Sequence, residues 1–228
     1  MPENPLLPNR KLRELLTLMR LCHKLDRNSH REALLAATTI HLEPGDLLCA
    51  TDNSLAHLAP KVPKKEANPN GSLLIAPAEL AQLPIAAAAA RGLQATGKGV
   101  ALAFANAGSS EPDWQSALTW AHTFQLPLIL TITDATGGKL PRRHTLDWPT
   151  FSRFAKRIKL PVLTIDGEDA VAIYRCMQES VIRARVGDGP AVLWAVITPA
   201  SAPKPPRTQR PIARLEAYMS ARKISFSA

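Results

Sequence analysis

The hydrophobic positions of this chain change period along its length. From Arg10 to Lys24 the apolar side chains Leu12, Leu15, Leu16, Met19 and Cys22 recur at helical spacing and predict an amphipathic helix. A second helix is expected from His30 to about Ile40, with Ser29 as its cap and the turn Glu43-Pro44-Gly45-Asp46 after it. Leu47–Ala50 reads as a short strand, and KVPKKEANPNG, 61–71, as a polar loop before Leu73–Ile75. Ala78–Thr96 is rich in Ala and Leu and reads as buried helix, which Pro84 is expected to divide into a short and a longer piece.

From Val100 onward the alternation becomes regular. Strand Val100–Ala105 leads to helix Glu111–Phe124, and strand Leu128–Thr133 leads to a loop. Helix Trp148–Ile158 precedes strand Val162–Ile165, helix Asp169–Arg185 follows, and strand Ala191–Val196 closes the series. Continuous apolar strands between helices mark a parallel sheet covered on both faces. The expectation is a single α/β domain over residues 1–198, N-terminal helices included. Residues 199–228 then form a Pro-rich linker and a helix starting at Pro211, packed on the domain or on a partner. Apolar side chains on that helix and on the Trp-bearing helix 111–124 favour an oligomer.

Composition narrows the function classes. With 228 residues and 46% apolar content, the chain can bury a proper core and is not of disordered type. Its apolar runs are too short to span a membrane, and the start MPENPLLPNRKLRELL lacks the order of a signal peptide, so a cytoplasmic protein is expected. The three cysteines are widely spaced and form no metal or disulfide pattern. A net charge of +9 permits nucleic-acid binding, but the basic residues are dispersed and only two Tyr and five Phe are present for base stacking. Nucleic acid is therefore not the expected partner. The run Arg153, Lys156, Arg157, Lys159 fits the wet face of a helix, and the four Trp fit core or interface anchors.

Candidate chemistry gathers at the ends of two strands. The turn Asn106-Ala107-Gly108-Ser109-Ser110 leads into a helix start, where backbone N–H groups can meet an anion. A well-capped turn without ligand fits the same residues. Asp134, at the end of the next strand and followed by Ala135-Thr136-Gly137-Gly138, can join Asn106 at a divalent cation, or can close an Asx turn on its own backbone. His57 and His144 are the histidines able to approach such a site, as catalytic groups or as exposed turn residues. No GxSxG accompanies Ser109 or Ser110, which excludes a nucleophile elbow.

Longer patterns carry a resemblance. The stretch ANAGSSEPDWQSALTWAHTFQLPLILTITDA is followed by LPVLTIDGEDAVAIY, ARVGDGPAVLWAVIT and PIARLEAYMSARK, and preceded by REALLAATTIHLEPGD and LPIAAAAARGL. This order resembles the alpha subunit of the thiamine-diphosphate-dependent E1 component of 2-oxo acid dehydrogenase complexes, in which a GDG motif, an LPV strand and a paired asparagine follow one another. The resemblance implies a three-layer, parallel-sheet thiamine diphosphate-binding fold. It also implies thiamine diphosphate and Mg²⁺ as cofactors, and a beta-type E1 subunit, or a homodimer using the equivalent surface, as partner. The implied reaction is oxidative decarboxylation of a 2-oxo acid of pyruvate or branched-chain type, with acyl transfer to a lipoyl-bearing acyltransferase complex. Cofactor contacts would fall to Asn53, Ala107, Gly108, Ser109, Asp134 and Thr136, and metal contacts to Asn106 and Asp134.

Several of these positions depart from the family pattern. The aspartate of GDG falls at Asn106, and its flanking glycines at Ala105 and Ala107. The paired asparagines fall at Asp134 and Ala135, the phosphate-contacting arginine at Asn53 and its neighbouring histidine at Leu55, while His57 takes the place of a second histidine. The cofactor-covering loop shortens to roughly 136–148. Each lost charge-assisted contact is worth about 1.5–3 kcal/mol, so losing three costs on the order of 5 kcal/mol, thousands-fold in affinity. The alternative expectation is a catalytically inactive homologue that binds neither cofactor nor metal and serves as a structural or regulatory binding module.

Overall fold

The alternating pattern folds into one parallel sheet of six strands in the order β2-β1-β3-β4-β6-β5. The computed structural model describes residues 7–25, 31–50, 73–75, 82–97, 99–108, 113–137, 146–199, 201–203 and 205–226. The strands are β1 (Leu47–Ala50), β2 (Leu73–Ile75), β3 (Ala101–Asn106), β4 (Leu128–Asp134), β5 (Val162–Asp166) and β6 (Ala191–Val196). The helices are α1 (Asn9–Leu25), α2 (Glu32–Thr39), α3 (Gln82–Thr96), α4 (Trp114–Thr123), α5 (Trp148–Ile158), α6 (Ala170–Arg185) and α7 (Pro211–Ala221). Every strand pair is parallel, including β3 with β4, where Ala101 lies opposite Leu128 and Asn106 opposite Thr133.

Strand alternation divides the core in two. On β3, Ala101 and Ala103 face the layer of α3, α4 and α5, while Leu102 and Phe104 face α1, α2, α6 and α7. On β4, Leu128, Leu130 and Ile132 join the first layer and Ile129 the second. Both faces are covered, which is why these strands read as apolar runs, in which Thr131 and Thr133 of β4 are the buried polar exceptions. The small side chains Ala86, Ala87 and Ala90 of α3 pack with Ala101 and Ala103 of the sheet.

Pro84 lies within α3, and residues 78–81, where the shorter helical piece is expected, lie outside the described residues. Two local expectations are corrected. The helix after β3 starts at Trp114 rather than Glu111, behind Asp113, whose φ of 60° is left-handed. The apolar residues of α7 need no second chain. Pro211, Leu215 and Met219 are buried within this one, and Arg20 of α1 meets Glu216 at 2.8 Å. Ser29 and the loop 61–71 lie outside the described residues.

A buried carboxylate closes the opposite end of the sheet. Asp46, fully buried before β1, accepts from Val100 N (2.8 Å), Glu43 N (2.7 Å) and both Arg185 Nη atoms (3.0 and 2.6 Å). Gly99 must be glycine there, because a Cβ would stand 2.5 Å from the carbonyl oxygen of Gly45. This clamp sets β1 beside β3.

His41 gives the fold a pH dependence. Burial lowers its pKa from 6.5 to about 4, a hydrogen bond at the Tyr174 backbone opposes the shift, and Lys11 adds to it. Its ring packs on Tyr174 at 4.3 Å. Because the unfolded chain binds this proton more readily, His41 leaves stability unaffected above pH 6.5 and lowers it as pH falls toward 4. The full shift corresponds to roughly 3 kcal/mol. Urea titrations of wild type and His41→Gln across this range should show a shallower acid decline in the variant. Parallel declines would contradict it.

Candidate functional site

The chain leaves β1 for β2 on one side and returns to β3 on the other, so the β1/β3 boundary is a topological switch point. In open parallel sheets ligands settle beyond the carboxyl ends of strands at such points. Asn106 ends β3 there, exposed and opposite Thr133. The next two amides are already committed: Ala107 N donates to Thr133 O and Gly108 N to Leu146 O, each at 2.8 Å. Gly108 has a φ of +83°, which lets the turn form without strain. These two donors point into the protein and are not offered to an anion.

Asp134, on the neighbouring strand end, adopts the Asx-turn alternative. Its Oδ1 accepts from Thr136 N (3.0 Å) and Thr136 Oγ1 (2.6 Å), and its Oδ2 from Trp194 Nε1 (3.1 Å). A carboxylate offers about four acceptor positions, so three of them are used here. Trp194 is itself wedged between Trp148 and Phe151, with ring centroids 5.0 and 5.2 Å away. The aromatic packing fixes the indole, and the indole fixes Asp134.

The other described carboxylates along this edge serve the scaffold too. Asp166 accepts from Glu168 N and Arg214 Nη2, and Asp169 caps α6 through Val171 N and Ala172 N. Glu168, buried, accepts from Thr198 N at 2.8 Å. The pairing with Asp166 raises the Arg214 pKa further. Among the described residues, no three His, Cys, Asp or Glu side chains are grouped as a metal centre requires.

The structure brings Asn106, Ala107 and Gly108 beside Asp134, Ala135 and Thr136 at adjacent strand ends. Ala135 is exposed and brings no side-chain oxygen. Asn53, His57, Ser109 and His144 lie outside the described residues. Nucleophilic cysteine chemistry is also disfavoured: burial pushes the Cys22 and Cys49 thiols up to about 12. The residue missed at the sequence level is Trp194, which reads there only as a core or interface anchor. Its place opposite Ile132 on β6 became visible once the β4–β6 register was known.

Comparison with known proteins decides the kinship. The model of the dehydrogenase E1 component family matches residues 68–198. The chain belongs to that family. It is 32% identical over 99 residues to the 3-methyl-2-oxobutanoate dehydrogenase subunit alpha of Mycobacterium tuberculosis, covering 42% of this chain and 27% of that protein. It is 31% identical over 110 residues to the pyruvate dehydrogenase E1 component subunit alpha of Staphylococcus epidermidis, covering 47% of this chain and 30% of that one. These matches span less than a third of either relative's length. Among solved structures, transketolase from Campylobacter jejuni superimposes with a TM-score of 0.57 at 12% identity, over 92% of this chain and 47% of the other. The E1-family chain thus has the α/β fold of thiamine-diphosphate-dependent enzymes. No described helix is long and apolar enough to cross a membrane.

The described residues do not fit Mg²⁺–diphosphate. A hard cation needs several oxygen ligands, and the one described carboxylate between these two strand ends, Asp134, is already held by three donors. Turning Asp134 toward a metal breaks hydrogen bonds worth about 1.5–3 kcal/mol each.

Proposed function

We propose that this chain is a non-catalytic module of E1-alpha type, which associates with a partner subunit and does not grip Mg²⁺–thiamine diphosphate. One observation carries the reading: the Asp134 carboxylate is bound to Thr136 and Trp194 while Ala135 beside it has no side-chain ligand atom. Structure is kept where the metal ligands are lost. The partner is a beta-type E1 subunit or a second copy, and the relatives' designation as alpha subunits favours the former.

A second reading is an active alpha subunit that completes its site only with a beta subunit, and the match over residues 68–198 favours it. In that reading Asn53, Ala107, Gly108, Ser109, Asp134 and Thr136 contact the diphosphate, Asn106 and Asp134 the metal, and His57 and His144 handle protons. Mixing the chain with a purified E1 beta subunit, thiamine diphosphate, Mg²⁺, and pyruvate or a branched-chain 2-oxo acid separates the two. No decarboxylation above that of the beta subunit alone is the expected outcome; turnover that needs this chain would overturn the non-catalytic reading.

A further inference from the structure

The two helical layers of this molecule differ in charge. Helices α3, α4 and α5 contain no Asp or Glu, whereas Arg91, Arg153, Lys156 and Arg157 stand exposed on them. On the other face, cations meet carboxylates, as in Lys11–Glu14 and Arg20–Glu216. Between α4 and α5 lies an open groove of about 500 Å³, lined by Thr119, Trp120, Phe124, Phe154 and Arg157 among others. Trp120 and Phe124 are 37% and 48% exposed and meet edge-on at 5.9 Å. Arg91 lies over the Phe124 ring at 5.7 Å and Arg157 over Phe154 at 5.6 Å.

We propose that this groove docks an acidic segment of a different polypeptide. A large apolar side chain of the segment sits between Trp120 and Phe154, and its carboxylates pair with Arg91 and Arg157. Tryptophan and arginine are the residue types that dominate interface energetics. Arg91 donates Nη1 to Gln94 Oε1, which together with the ring contact fixes the guanidinium and leaves its remaining N–H groups for a carboxylate, while the ring contact orients Arg157. The occupant's sign follows from complementarity, because a rim of cations without a carboxylate on its helices selects against basic partners. A second copy is disfavoured for the same reason: each chain carries +9, and a symmetric contact would set these arginines against themselves. The inference concerns a face away from the strand ends, and it stands whether or not those ends accept a cofactor.

The test is selection of phage-displayed random peptides on the intact chain, followed by titration of the synthetic consensus peptide. The expected consensus places Asp or Glu around Trp, Phe or Leu. Trp120→Ala should weaken the consensus peptide at least about tenfold. Arg91→Glu with Arg157→Glu should abolish its binding and confer binding of the Glu→Lys counterpart peptide. These substitutions are at the surface, and an unchanged melting temperature checks that each variant is folded. No enrichment, a neutral or basic consensus, or equal binding by all variants would overturn the proposal. So would self-association lost in Trp120→Ala, which points to a second copy, or tighter binding of a single-stranded oligonucleotide at the same face.

Discussion

Replacing Asp46 by alanine should lower the unfolding free energy by about 3–5 kcal/mol, a large share of a domain's usual stability. Asp46 is fully buried and receives four donors, two from Arg185 and one each from the Val100 and Glu43 amides. Alanine would strand the two amides and leave a half-buried guanidinium without its partner. Asp46→Asn keeps one acceptor oxygen and the shape, so it should cost less. A urea midpoint that falls with unchanged slope would measure the effect directly. A loss below about 1 kcal/mol would mean that water or Glu43, whose carboxylate lies 3.6 Å from Arg185, takes over the role. The consequence reaches the β1/β3 boundary, because Leu47 N also bonds to Val100 O at 2.9 Å and the clamp aligns β1 with β3.

The second large effect is a gain. Asn106→Asp together with Ala135→Asn adds a carboxylate and an amide oxygen at adjacent strand ends, the positions where the family resemblance places its metal ligands. Two such contacts are worth on the order of 3–6 kcal/mol, so metal-dependent affinity for thiamine diphosphate should rise hundreds-fold or more. Both side chains are exposed in the native protein, so the change should leave the core intact. Calorimetric titration of the double variant with Mg²⁺ present and then removed by chelation would show it. An unchanged affinity would mean that the commitment of Asp134 to Trp194 has closed the pocket for good.

Much of this molecule could be read from the chain. The apolar runs of β3 and β6, and that of β4 broken only by Thr131 and Thr133, announce strands buried on both faces, and Asp147 and Asp169 cap helices where the pattern begins them. The Asx turn at Asp134 was one of two alternatives, since Asp followed by small residues suits either. What escaped the sequence lies in long-range pairing. Nothing local says that Arg185 reaches Asp46 or that Trp194 reaches Asp134, because those partners depend on strand order and register. The covered face of α7 was hidden for the same reason: an amphipathic helix looks alike whether its cover is its own chain or another.

The most direct measurement is a calorimetric titration of the unmodified chain with thiamine diphosphate and Mg²⁺, alone and in the presence of a purified E1 beta subunit. An edge whose carboxylates are bound to the scaffold should give no saturable heat up to millimolar cofactor (about −4 kcal/mol of binding free energy) in either state. Binding tighter than about 10 μM that disappears with EDTA would contradict the account.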